Sequence, residues 1–263
     1  MKFAETVIKQ IGFEFERGRL DRSLHPFSTT FSINDVRITT RVRNDYLREA
    51  LFSCIHEAGH AIYEQGIDQN LEGTTLATRT STGVHESQSR LWENIIGRSK
   101  TFWLYFYPQL QKNFPRELAE VKLETFYKSI NKVKPTFTRV GADEITYNLH
   151  IMIRFDLEID LLEGKLSVHD LPEVWNQRYK AELGIKPPDV KYGVLQDIHW
   201  FSGAIWGAFQ SYTLGNIMGA QFFEAAIQAY SKIVREMCSR NFCILQKFLE
   251  QNIHQYVQKY SSS

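Results

Sequence analysis

Cysteine is scarce in this chain: Cys54, Cys238 and Cys243 are the only three, and none stands in a C-x-x-C or paired zinc-ribbon spacing. That count excludes a disulfide framework and fits reduced thiols in a cytoplasmic setting, with Cys54 as apolar filler on a helix. An excess of charge of either sign is missing too. Lys and Arg number 31 against 30 Asp and Glu, a formal net charge of +1, so no global electrostatic attraction to nucleic acid or to an anionic membrane is expected. No run approaches the roughly eighteen uncharged apolar residues of a membrane span, and Met1-Lys2-Phe3-Ala4-Glu5 lacks the apolar stretch of a signal peptide. Internal repeats are absent, and low complexity is confined to Ser261-Ser262-Ser263.

What is present is enough apolar residue, 43% of 263, to bury a sizeable core. Helical periodicity dominates. It predicts a mainly α fold with helices near 1–16, 44–65, 86–107, 116–131, 142–163, 171–183, 197–229 with a break, and 241–258. Pro108, Pro115, Pro135, Gly164 and Pro187-Pro188 serve as punctuation. The exception is 27–42, where two β-favouring runs flank Asn34-Asp35 and predict a short hairpin, and Thr74 to Thr78 reads as a second extended piece.

Chemistry concentrates in Ile55-His56-Glu57-Ala58-Gly59-His60-Ala61-Ile62. Histidines at i and i+4 share one helix face, so two imidazoles can converge on one zinc ion while the intervening glutamate serves as general base. Chance alone would place such a pattern in about one chain of this length in fifty. Here it also falls on a helix. Apolar residues recur at Leu47, Leu51, Cys54, Ile55, Ala58 and Ile62, with Asn44 and Asp45 as the start signal and Gly66 as the stop.

A catalytic zinc takes a third protein ligand and keeps one position for water. The extended form H-E-x-x-H-x-x-G-x-x-H fails, because Tyr63 and Gly66 stand where Gly and His are required. A carboxylate from a later helix is the remaining common solution. Glu86 and Glu93, seven residues apart on one face, are the candidates, Glu86 preferred and Glu93 in reserve.

Five ordered segments carry a family resemblance: Asp35-Val36-Arg37-Ile38-Thr39, His56-Glu57-Ala58-Gly59-His60, His85-Glu86-Ser87-Gln88, Thr138-Arg139-Val140-Gly141-Ala142 and Gly193-Val194-Leu195-Gln196-Asp197-Ile198-His199-Trp200. In order and spacing the chain resembles the M32 metallocarboxypeptidases, the carboxypeptidase Taq family. One position departs from the pattern: Thr138 stands where Ile or Asn is usual.

The resemblance implies the catalytic half of a helical, zincin-like, saddle-shaped fold akin to neurolysin and angiotensin-converting enzyme, with the hairpin lining the cleft. It implies one Zn2+ per chain, or Co2+, on His56, His60 and Glu86, with Glu57 as the catalytic base. It further implies removal of C-terminal residues from peptides, with Arg139 and Gln196 binding substrate. His199 and, more weakly, Tyr212 are candidate donors to the oxyanion or to the substrate carboxylate. Asp35, Arg37 and Asp197 are candidate orienting groups.

Family members are about twice this length and typically homodimeric. Residues 1–263 are therefore expected to form a partial catalytic domain lacking the N-terminal half and the extreme C-terminus, with a separately encoded N-terminal half as a candidate partner. Two alternatives use the same residues: a weak or inactive remnant acting as a binding module, and a zinc endopeptidase of neurolysin type.

Overall fold

The computed structural model describes residues 1–43, 46–200 and 208–259. Chain contacts divide into two compact units, Met1–Ile130 with Gly215–Ser263, and Asn131–Leu214.

The first unit begins with α1 (Lys2–Gln10), whose buried face is Phe3, Ala4, Val7 and Ile8. A three-stranded sheet follows: β1 (Gly18–Arg22), β2 (Ser28–Ser32) and β3 (Asp35–Thr40), in the order β1-β3-β2. β2 and β3 form the predicted hairpin, antiparallel with Ser28 opposite Ile38 and Thr30 opposite Val36. β1 is an addition to the sequence reading, pairing parallel to β3 with Gly18 opposite Val36. Its sequence Gly-Arg-Leu-Asp-Arg has one apolar residue, and the Arg19–Asp21 pair is exposed, so no alternation marks it. Gly18 is fixed by space, since a Cβ there would lie 2.3 Å from the Val36 carbonyl oxygen. The extended piece expected at Thr74 to Thr78 is not a strand: turns and bends occupy it. Its Thr hydroxyls bond backward to carbonyls three residues earlier, Thr74 to Leu71 and Thr78 to Thr75, which favours turn over ladder.

Helices α2 (Leu47–Gln65), α3 (Thr82–Arg90), α4 (Lys100–Asn113), α5 (Pro115–Leu118) and α6 (Leu123–Ile130) complete the first stretch of this unit. A π-helical turn, Leu91–Ile96, separates α3 from α4. Pro108 does not break α4 as expected. Pro108 and Leu104, four residues earlier, are both exposed, so the lost backbone bond falls on the solvent side where water can replace it. Val36 and Ile38 of the sheet, Leu51, Ile55 and Ala58 of α2, and an aromatic group of Trp92, Phe102, Trp103 and Phe106 share one core.

The second unit is built on α7 (Glu144–Leu162) and α8 (Leu171–Leu183). Asp143 caps α7, its carboxylate accepting from the backbone N–H groups of Ile145 and Thr146 at 3.0 and 2.9 Å. α8 has the predicted bounds, opened by Pro172 and closed by Gly184 in the left-handed conformation (φ 70°). Trp175 and Tyr179 pack with Tyr147, Ile151, Trp200 and Phe209 as its core.

α9 (Gln210–Ala229) starts in the second unit and continues in the first, followed there by α10 (Ile233–Cys238) and α11 (Cys243–Leu249). Among the described residues, no helix is long and apolar enough to cross a membrane. The start signal at Asn44-Asp45 lies outside the described residues.

Candidate active site

α2 turns Leu51, Cys54, Ile55 and Ala58 into the core, which leaves His56, Glu57 and His60 on another face. Burial extends to that face as well, with Glu57 7% and His60 8% exposed. The helix stops at Gly66 in an ordinary right-handed conformation. The glycine there answers to crowding, because a Cβ would sit 2.5 Å from Nδ1 of His254.

α3 begins four residues earlier than its periodicity predicts. Ser81 accepts a bond from the Val84 N–H at 3.2 Å and starts the helix, so Glu86 lies in the second turn rather than the first. Two close approaches fix α3. A Cβ on Gly59 of α2 would lie 2.6 Å from Cα of Ser89 and 2.8 Å from the Gln88 carbonyl oxygen. On α9, a Cβ on Gly215 would lie 2.8 Å from Cγ of Glu86, and one on Gly219 would lie 2.9 Å from the Ser87 carbonyl oxygen.

These contacts seat the Glu86 carboxylate against the two imidazoles. Its Oε2 is 3.8 Å from Nε2 of His56 and 3.5 Å from Nε2 of His60, and one donor atom from each of the three residues lies within 4.8 Å of the others. Both rings are held from behind. Nδ1 of His60 is 3.0 Å from the His85 carbonyl oxygen, and Nδ1 of His56 is 3.0 Å from Oε2 of Glu93. A carbonyl can only accept, so His60 carries its proton on Nδ1 and turns the Nε2 lone pair toward Glu86. The His85 ring stacks on His60 at 4.1 Å, and its own Nε2 meets Glu64 Oε1 at 3.1 Å. Burial and the neighbouring Glu86 and Glu93 push the Glu57 carboxyl up to about 7, against the opposing pull of His56.

The second unit gathers the other candidates. Arg139 is buried, and Asp197 grips its guanidinium side-on, with Nε to Oδ2 at 2.6 Å and Nη2 to Oδ1 at 3.1 Å. Nη1 donates to the Tyr147 hydroxyl at 2.8 Å, and the Tyr212 ring covers the guanidinium at 4.6 Å. Nδ1 of His199 lies 3.0 Å from Asp197 Oδ1. Arg154 approaches the same carboxylate at 3.1 Å. Burial opposes the charged form of Asp197, yet hydrogen bonds from His199 and Arg139, with Arg154 nearby, hold it far below the usual carboxylate range. Gln196 uses its amide N–H group on the Phe137 carbonyl at 2.9 Å and the Tyr179 hydroxyl at 3.2 Å.

All of the chain, residues 1–263, matches the family model described as carboxypeptidase Taq (M32) metallopeptidase. The chain belongs to the M32 family. It is 48% identical over 225 residues to Thermostable carboxypeptidase 1 of Thermus thermophilus, covering 86% of this chain and 44% of that protein. It is 42% identical over 247 residues to Carboxypeptidase 1 of Bacillus subtilis, covering 94% of this chain and 49% of that one. The M32 carboxypeptidase structure from Deinococcus radiodurans superposes with a TM-score of 0.96 at 44% identity, covering 99% of this chain and 52% of that chain. This M32 chain thus spans about half the length of the curated relatives it matches.

M32 membership implies a divalent metal, and the donor set fits one. Ligand atoms about 2.1 Å from a tetrahedral ion lie roughly 3.4 Å apart, close to the 3.5 and 3.8 Å seen between Glu86 and the histidines. The other carboxylate oxygen of Glu86, Oε1, is buried with no hydrogen-bond partner among the described residues. The sequence prefers Glu86 and keeps Glu93 in reserve, and the structure gives the two different neighbours. Glu86 faces the Nε2 atoms, whereas Glu93 faces Nδ1 of His56 and two arginines. His85, Glu64, Tyr147 and Arg154 went unread, since a buried polar residue carries no periodic signal; only His85 stood within a quoted motif.

Proposed function

We propose that this chain carries the catalytic chemistry of a zinc-dependent carboxypeptidase that removes C-terminal residues from peptides. Residues 1–263 act in this reading as a partial M32 catalytic domain, placed in the cytoplasm. Convergence of His56 Nε2, His60 Nε2 and Glu86 Oε2 carries the proposal. These three residues would hold one Zn2+, with Co2+ as the substitute. When bound, the ion supplies Lewis-acid polarisation of the scissile carbonyl and acidifies water.

Glu57 does the proton work. Its carboxylate accepts a proton from the attacking water and delivers it to the departing amine, so each turnover returns it to its starting state. Near-complete burial strengthens it as a base by denying it the solvation that favours the carboxylate. Arg139, with its neighbours Gln196, His199 and Tyr212, is the proposed recogniser of the free carboxylate. Support comes from a buried cluster in which Arg139 and Arg154 both meet the Asp197 carboxylate, a concentration of guanidinium groups suited to an anion. Asp197 spends one edge of the Arg139 fork on orientation, so recognition rests on the remaining N–H and on His199. The three free cysteines agree with a reducing compartment. A homodimer and the peptide substrate are the partners the reading carries.

The test measures zinc stoichiometry together with hydrolysis of an N-blocked dipeptide with a free C-terminus. One zinc per chain and release of the C-terminal residue are expected. Zinc bound without turnover would identify a binding module, and cleavage of peptides blocked at both ends would identify an endopeptidase.

A further inference from the structure

His56 and His60 are restrained in different ways. His60 leans on a backbone carbonyl, whereas His56 leans on a carboxylate that is itself clamped. Glu93 Oε2 accepts from His56 Nδ1 and from Arg90 Nη1, both at 3.0 Å, and Oε1 accepts from Arg98 Nη2 at 3.1 Å. Both arginines are anchored in turn. Arg90 Nε donates to Asn216 Oδ1 of α9 at 2.7 Å. Arg98 donates to Asn94 Oδ1 at 3.2 Å and to the Ile130 carbonyl at 3.0 Å, and its guanidinium lies 4.2 Å from the centre of the Phe52 ring.

The π-helical turn explains how Arg98 reaches Glu93. Five residues of α-helix rotate a side chain about 140° away from its starting face. A turn closed at i to i+5, as in the Gly97 N–H to Trp92 carbonyl bond of 2.8 Å, brings residue 98 back nearly over residue 93. The extra residue therefore stations a second cation on a carboxylate that α-helical spacing would leave with Arg90 alone.

We propose that Glu93 is the positioning residue of the metal site. It locks His56 as the Nδ1–H tautomer and aims Nε2 at Glu86, with Arg90 and Arg98 fixing its own carboxylate. This inference rests on the metal reading above and adds a residue to it. Glu93 is not a ligand, since both of its oxygens are committed elsewhere, whereas Oε1 of Glu86 has no partner among the described residues.

Removing the Glu93 charge alone would leave two buried arginines facing each other, so the test pairs it with Arg98→Met. In the full chain, cobalt(II) affinity is measured by competition against a chelator for wild type, Arg98→Met and Glu93→Gln/Arg98→Met, alongside metal-free thermal unfolding. The double variant should still bind one cobalt with the wild-type visible spectrum, about tenfold to a hundredfold more weakly than Arg98→Met. Glu93→Leu/Arg98→Met, which offers no acceptor, should bind more weakly than the Gln form. Equal affinity of Arg98→Met and both double variants overturns the proposal, as does a cobalt spectrum altered in the way Glu86→Gln alters it, which would make Glu93 a ligand. Should the double variants not fold, Glu93→Asp keeps the charge and withdraws the carboxylate by one methylene. Weaker cobalt binding with unchanged metal-free melting then supports the role, and unchanged affinity overturns it. A wild-type chain that binds no cobalt or zinc would remove the metal reading itself, a different result from equal affinity among variants.

Discussion

Glu57 and Arg139 have separable jobs in the proposed function. Glu57→Gln keeps the shape of the side chain and leaves the three metal donors intact, so zinc should still bind while turnover falls by several orders of magnitude. Near-wild-type hydrolysis by the zinc-loaded variant would remove Glu57 from the proton work. Arg139 is buried and doubly bonded to Asp197. Arg139→Ala should therefore cost about 3 to 5 kcal/mol of stability, read in denaturant unfolding, because it strips a buried carboxylate of its closest cation. A variant with weakened substrate binding and unchanged stability would assign Arg139 to recognition alone.

Glycines set how closely the elements that carry the proposed metal donors approach one another. Gly59→Ala would drive a methyl group into the Ser89 and Gln88 backbone. α2 and α3 would have to separate, at about 1 to 3 kcal/mol and with a fall in zinc affinity. Gly215→Ala presses on Glu86 from α9 and should weaken zinc in the same way. Retained affinity in both variants would show that the helix spacing is not what seats Glu86. Much of this architecture was legible in advance. The bounds of α8 follow from its helical periodicity over 171–183, the β2–β3 hairpin from its β-favouring runs, and the histidine pair from its spacing. The glycine contacts were not legible, because the sequence of α2 does not say which helix lies across Gly59. Nor was the π turn, since a residue added to a helix leaves no compositional mark. β1 escaped because it is polar and finds its partner across the hairpin.

At the scale of the molecule, buried neutral histidines tie stability to acid. Burial lowers His254 to about 3, and burial with the nearby charges of Arg154 and Arg139 lowers His150 to about 3. In the unfolded chain each titrates near 6.5, so between those values the unfolded state holds the extra proton. Their contribution is intact above about pH 6.5 and declines by about 1.4 kcal/mol per pH unit for each as pH falls toward 3. Urea unfolding from pH 6.5 to 5 should show a shallower decline in His254→Gln than in wild type, and parallel curves would contradict the assignment. His254 also has a place in the order of assembly. It bonds Gln88 across 166 positions, Thr80 bonds the Val257 carbonyl across 177, and Arg90 bonds Asn216 across 126. The scaffold of α2 and α3 thus waits on residues made more than a hundred positions later. During synthesis, the histidine pair and Glu86 leave the ribosome long before the segments that brace them, so this unit closes slowly and by long-range contacts.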